Sequence, residues 1–217
     1  MNLRLPALLV TAVAASAGAF AGDSARLPAH FRGLLNDYTP SSVNSVPIKG
    51  GPYEMHGTWR LDLDESRSLA TFSAAMTMQM VDFLNADPNF DPGTLGAHTH
   101  QIALSGGIVH DGPTDWASMC PKLSPAVAGG FVITGNAYIT ANGSNPPFGN
   151  PTPVTICILG STNPNVSGAA YVQLSNFTLT FGSPASAHFG PQPIHGVVVR
   201  CGPPRWESHP CAVTVDR

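Results

Sequence analysis

Between Tyr53 and Leu63 the chain alternates. Tyr53, Met55, Trp59, Leu61 and Leu63 fall on one parity, and Glu54, His56, Thr58, Arg60 and Asp62 on the other. A period of two is that of a strand with one buried face. The polar turn at 64–68 leads to a second run, in which Ala70, Phe72, Ala74, Met76, Met78 and Met80 oppose Thr71, Ser73, Thr77 and Gln79. Together the two runs predict a hairpin with long arms. A helix over 74–84 competes for the Met-rich part, but the regular interleaving of Ser and Thr favours a strand.

Further strands are predicted at 97–104, 130–140, 154–159, 170–181 and 194–200. The segments 85–96 and 145–151 are rich in Pro, Gly and Asn and read as loops. Residues 112–128 are irregular, with room for one short helical turn. Residues 22–52 show little periodicity and read as an extended leader or an early strand. No repeat period and no break wide enough for a second domain is present. The expectation is an all-β, single-domain chain over 53–217, built as an antiparallel β-barrel or β-sandwich of about seven or eight strands.

The N-terminus changes this picture only at its edge. One basic residue, Arg4, precedes an apolar stretch from Leu5 to Ala17, and Ala19 and Ala21 satisfy the small-x-small rule for cleavage before Gly22. This predicts a signal peptide over 1–21 and a secreted or periplasmic protein. The apolar stretch is shorter than the about 20 residues that span a bilayer, and no later segment approaches that length, so no membrane span is expected.

Composition agrees with export. Only 11% of residues are charged, the net charge is −3, and Lys occurs only at Lys49 and Lys122. That balance gives no footprint for nucleic acid or an anionic membrane. The four cysteines, Cys120, Cys157, Cys201 and Cys211, form an even set suited to two disulfide bonds in an oxidising compartment. Three connectivities are open. Cys201–Cys211, closing the Gly202-Pro203-Pro204 turn, and Cys120–Cys157 are favoured. Zinc ligation by the four competes, without the Cys-x-x-Cys spacing that would support it.

The eight histidines carry the chemistry. In Ala97-His98-Thr99-His100-Gln101-Ile102-Ala103-Leu104, His98 and His100 share a face with Ile102 and Leu104. An apolar face points inward, so both imidazoles should too. By the same rule His195, which shares a face with Val197 and Val199, is expected inside. His188 lies just ahead of that strand. Two imidazoles at i and i+2 with a third from another strand make a set of neutral nitrogen ligands. The candidate metal ligands are His98, His100 and His195, with His188 next. Copper or zinc suits imidazole, and Met76, Met78 or Met80 would add a soft thioether in the copper case. The competing readings are a structural cluster of hydrogen-bonded histidines and a catalytic histidine.

Other signals are weaker. The run from Asp87 to Gly93 places oxygen ligands as calcium loops do, but its Gly falls one position late and no Glu follows, so it fails as an EF-hand. Sequons occur at Asn142, Asn165 and Asn176, the last inside a predicted strand. Gly22-Asp23-Ser24 has no strand before it, and no nucleophile elbow, phosphate loop, dinucleotide fingerprint or His-Glu-x-x-His helix is present. No catalytic residue is nominated.

Two segments resemble the chordin-type repeat domain, a secreted β module. One is 57–78 followed by Ala97-His98-Thr99-His100, similar to that family's long hairpin and Ala-His-x-His stretch. The other, His188-Phe189-Gly190-Pro191-Gln192-Pro193-Ile194-His195-Gly196, looks like its closing segment without the acidic and Arg residues typical there. The resemblance covers about a third of the chain beyond the signal and implies extracellular binding rather than catalysis.

The residues thus point to an exported β-domain that binds a metal ion, copper or zinc, or a small ligand. Two alternatives are a surface or matrix structural protein that self-associates into homo-oligomers through Thr/Ser/Asn-rich strand edges, and a barrel enzyme of the isomerase or cyclase type using His as acid or base.

Overall fold

The computed structural model describes residues 29–39, 42–43, 46–47, 53–80, 97–121, 127–146, 148–162, 171–202 and 211–214. The signal segment, most of the 22–52 stretch outside 29–39, the 85–96 loop with its calcium-like run, and Asn165 lie outside the described residues, as does the side chain of Met80.

Each of the seven predicted strands forms. They are β4 (Tyr53–Leu63), β5 (Leu69–Met80), β6 (His98–His110), β7 (Gly129–Ala141), β8 (Thr152–Thr162), β9 (Tyr171–Phe181) and β10 (Ile194–Cys201). An eighth, β1 (His30–Tyr38), lies within the stretch read as leader or early strand. The antiparallel order is β10-β1-β4-β5-β6-β7-β8-β9, and β9 pairs back onto β10. The sheet therefore closes into an eight-stranded antiparallel barrel, which settles barrel against sandwich. Closure leaves no long free edge in the wall, and eight strands enclose an interior just wide enough for side chains to fill. A two-residue hairpin, β2 (Ser42–Val43) with β3 (Val46–Pro47), follows β1.

β1 was hidden by one residue. Phe31, Gly33 and Leu35 face inward, but Gly33 carries no side chain and Leu34, on the outer face, is apolar. The glycine is required by packing: a Cβ there would lie 2.4 Å from the Trp59 ring and 1.9 Å from the Val197 carbonyl oxygen. Trp59 occupies that space and stacks on Phe177 at 4.3 Å, with Phe72 5.9 Å beyond. Phe31 and Phe131 meet at 5.3 Å. These rings fill the barrel, each large buried side chain contributing about 1.5–3 kcal/mol.

The outer wall carries a second, smaller apolar cluster. Val132, Cys157 and Leu159 are buried on the face away from the barrel interior, under Trp116 of the short helix α1 (Pro113–Met119) and the adjoining Cys120. β8 is thus covered on both faces, which explains its unbroken apolar run. The Cys120–Cys157 disulfide anchors this cover. The Cys201–Cys211 disulfide joins the end of β10 to the start of β11 (Ala212–Thr214), which pairs with β9 where β10 has left it. Both favoured pairings form, and no free cysteine remains to hold zinc.

A second short helix, α2 (Ser186–Phe189), lies in the β9–β10 connection. Phe189 is fully buried against Phe181, with ring centroids 4.2 Å apart, and seats α2 on the barrel end where β6 begins. Among the described residues no helix is long and apolar enough to cross a membrane.

Candidate metal centre

β6 keeps the parity its sequence implies. His98, His100, Ile102 and Leu104 face inward, with His100 only 1% exposed and His98 partly buried. The strand does slip register, with Gly106 at φ +70° in the slip, but that lies beyond Leu104 and leaves the histidine end in phase. Across the hairpin, Met78 pairs with His98 and Met76 with His100, and both methionines are fully buried.

α2 brings the third imidazole. His188 Nε2 lies 3.2 Å from His98 Nε2 and 3.1 Å from His100 Nε2. The three ring nitrogens all fall within 4.8 Å of one another, a grouping that could hold a metal ion. Nitrogens bound tetrahedrally at about 2.0–2.1 Å would sit about 3.3 Å apart, close to the two short contacts. The rings are walled by aromatics, with ring centroids 4.8 Å apart for Phe189 and His100, 5.6 Å for Phe148 and His188, and 5.7 Å for Tyr53 and His98.

Proton placement shows what such an arrangement can do. His100 Nδ1 lies 3.1 Å from the Thr140 carbonyl oxygen, which can only accept, so Nδ1–H donates to it. In the neutral ring, Nε2 then carries a bare lone pair aimed at His188. His188 Nε2 faces two nitrogens but holds either one proton or one lone pair. Only one of its two contacts can be a full hydrogen bond. A cation accepting three lone pairs relieves this mismatch, and the Thr140 carbonyl is the outer partner that orients a ligating imidazole.

The electrostatics keep the rings neutral. Burial, then the neighbouring His188 and His98, lowers His100 to about 3. Burial, then His98, lowers His188 to about 4. Burial also lowers His98, and it pushes the Tyr53 phenol up. Neutral imidazole is the form that ligates.

His195 stands elsewhere. β10 directs Ile194, Gly196 and Val198 inward, and His195, Val197 and Val199 lie on its outer face. Both faces of β10 are apolar: Ile194 and Val198 pack into the core, Gly196 lies against Phe177 and the Leu34 backbone, and Val197 and Val199 are left on the surface, so apolar neighbours do not mark the inner face of this strand. His195 Nδ1–H donates to Asp37 Oδ2 at 2.7 Å, on the surface. The expectation that His195 completes the set is thus replaced by His188. The outer partner Thr140 and the aromatic wall of Tyr53, Phe148 and Phe189 were not foreseen. They depend on strand register and loop closure, for which the sequence holds no local signal.

The fold and site define a class in geometric terms: a disulfide-bonded, eight-stranded antiparallel barrel with a three-histidine cluster held by a helical plug at one end. No protein-family model, no curated protein and no solved structure matches the chain.

Proposed function

We propose that this protein is an exported metal-binding barrel that holds one copper or zinc ion through His98, His100 and His188, with copper the better fit. The observation that carries the reading is the convergence of His188 Nε2 on two other Nε2 atoms at 3.1 and 3.2 Å, with no carboxylate in the group. An all-imidazole set suits copper and zinc rather than magnesium or calcium, which take oxygen. Buried Met76 and Met78 beside the histidines add soft, polarisable surroundings that favour copper, the metal that also tops the divalent affinity order. Two disulfides fit an oxidising extracellular or periplasmic setting, where such an ion is acquired or kept. The chordin-type resemblance, with its implied extracellular binding, is consistent with this role.

The test is the metal content of protein purified from its native host, followed by titration of the stripped protein with copper and with zinc. One ion per chain, bound more tightly as copper, supports the proposal. A metal-free protein that takes up neither ion at micromolar concentration refutes it.

A further inference from the structure

The outer wall of the barrel carries a concentration of charge that the metal centre does not use. Arg32 on β1 is directly opposite Arg60 on β4 and directly opposite Arg200 on β10. These are three of the four arginines among the described residues, which include no lysine, in a chain where 11% of residues are charged. Like charges at directly opposed positions destabilise a sheet. Relief is partial: Asp62 accepts Arg60 Nε–H at 2.5 Å and His30 Nδ1–H at 2.6 Å. Arg32 and Arg200 make no ion pair among the described residues. At β10 the register slips, so that both Val199 and Arg200 are exposed on the outer face opposite Arg32. Such irregularities re-aim side chains and cluster at functional surfaces.

The row borders a groove of about 610 Å³, a size typical of ligand sites. Its course follows from two outer rows of the sheet. Arg200, Arg32 and Arg60 continue into Ser73 in the first. Leu34, Thr58 and Ala75 continue into Gln101 in the second. The small side chains of Ser73 and Ala75 form the depression between longer neighbours. With strands about 4.8 Å apart, the three guanidinium positions span about 10 Å and the groove crosses five strands.

We propose that this groove binds an acidic oligosaccharide, a chain of sugars bearing carboxylates. The arginines would take successive carboxylates, as planar guanidinium groups do. Thr58, Ser73 and Gln101 offer hydrogen bonds to hydroxyl groups, and Leu34 and Val199 offer apolar contact to sugar C–H faces. Single-stranded nucleic acid is the poorer occupant, because the one aromatic residue of the groove lining, Trp59, is 3% exposed with its ring stacked on Phe177 in the barrel interior, and presents no stacking platform.

The experiment is calorimetric titration of the full exported chain with a galacturonate tetramer, its neutral methyl ester, inorganic phosphate and a short single-stranded DNA. The acid tetramer should bind saturably and more weakly as salt rises, and the methyl ester and phosphate at least about tenfold more weakly. Arg32→Gln and Arg200→Gln should each weaken tetramer binding about tenfold, and Arg32→Lys by less. These positions are exposed, and far-UV circular dichroism checks that each variant folds. Absent binding, equal binding of the ester, unchanged binding in both Gln variants, or tighter binding of the DNA would each overturn the proposal.

Discussion

The histidines of the barrel interior and those of its surface live in opposite environments. His98, His100 and His188 meet one another and aromatic rings, with no acid in the group. His195 and His30 each meet a carboxylate at the surface, Asp37 and Asp62, at 2.7 and 2.6 Å. Burial among other imidazoles penalises the charged form and leaves lone pairs free, whereas each surface ring already commits its Nδ1–H to a carboxylate. The difference separates a site that can hold a cation from pairs that are already complete. Sequence parity alone does not draw this line, because His98 and His195 both share a strand face with apolar residues.

The sharpest way to break the contrast is to delete one ring from each side. His188→Ala is expected to weaken copper or zinc binding by more than the about 10- to 100-fold that loss of a mere supporting hydrogen bond costs. His195→Ala is expected to leave the affinity unchanged. Competition titrations with a chromophoric chelator check both.

Next in size is the support beneath the inner cluster. Phe189 is fully buried between Phe181 and His100. Phe189→Ala should destabilise the fold by about 3–5 kcal/mol, measured by urea unfolding. It should also lower metal affinity, because α2 would lose the anchor that holds His188.

A pH series sharpens the same contrast. In the folded, metal-free protein His100 and His188 gain protons only near 3 and 4, against about 6.5 in the unfolded chain. The stability linked to these neutral rings is fully present above about pH 6.5. It is lost progressively as pH falls toward 4 and 3, because the unfolded state binds protons that the folded state refuses. Urea midpoints of the stripped protein should therefore decline between pH 6.5 and 4, and less steeply in His188→Gln.

The smallest effect belongs to the surface pair. Asp37→Asn should change stability by no more than about 1 kcal/mol in urea unfolding, the range of exposed ion pairs, and leave metal binding untouched.

Much of this architecture was legible along the chain. The hairpin from Tyr53 to Met80 could be read because its alternation persists through two long arms despite Gly57 on the inner parity and Ala75 on the outer, and His98 and His100 because their strand stays in phase through Leu104. The two disulfides followed from an even cysteine set. β1 was obscure because Gly33 supplies backbone to the wall while the Trp59 side chain fills its place. His195 was misleading because both faces of β10 carry apolar residues, so sharing a parity with Val197 and Val199 does not tell inside from outside. His188 belongs to no strand. Its role comes from a connection folded over the barrel end, a long-range event that periodicity does not encode. The row Arg200, Arg32, Arg60 is likewise a property of register between distant strands.

X-ray absorption on copper-loaded protein interrogates the trio itself, through the scattering of its rings around the absorbing atom. Three imidazole nitrogens at about 2.0 Å, present in the native chain and His195→Ala and reduced in His188→Ala, are the expected result. An oxygen-dominated shell, or a spectrum that His188→Ala leaves unaltered, would contradict a centre built by His98, His100 and His188.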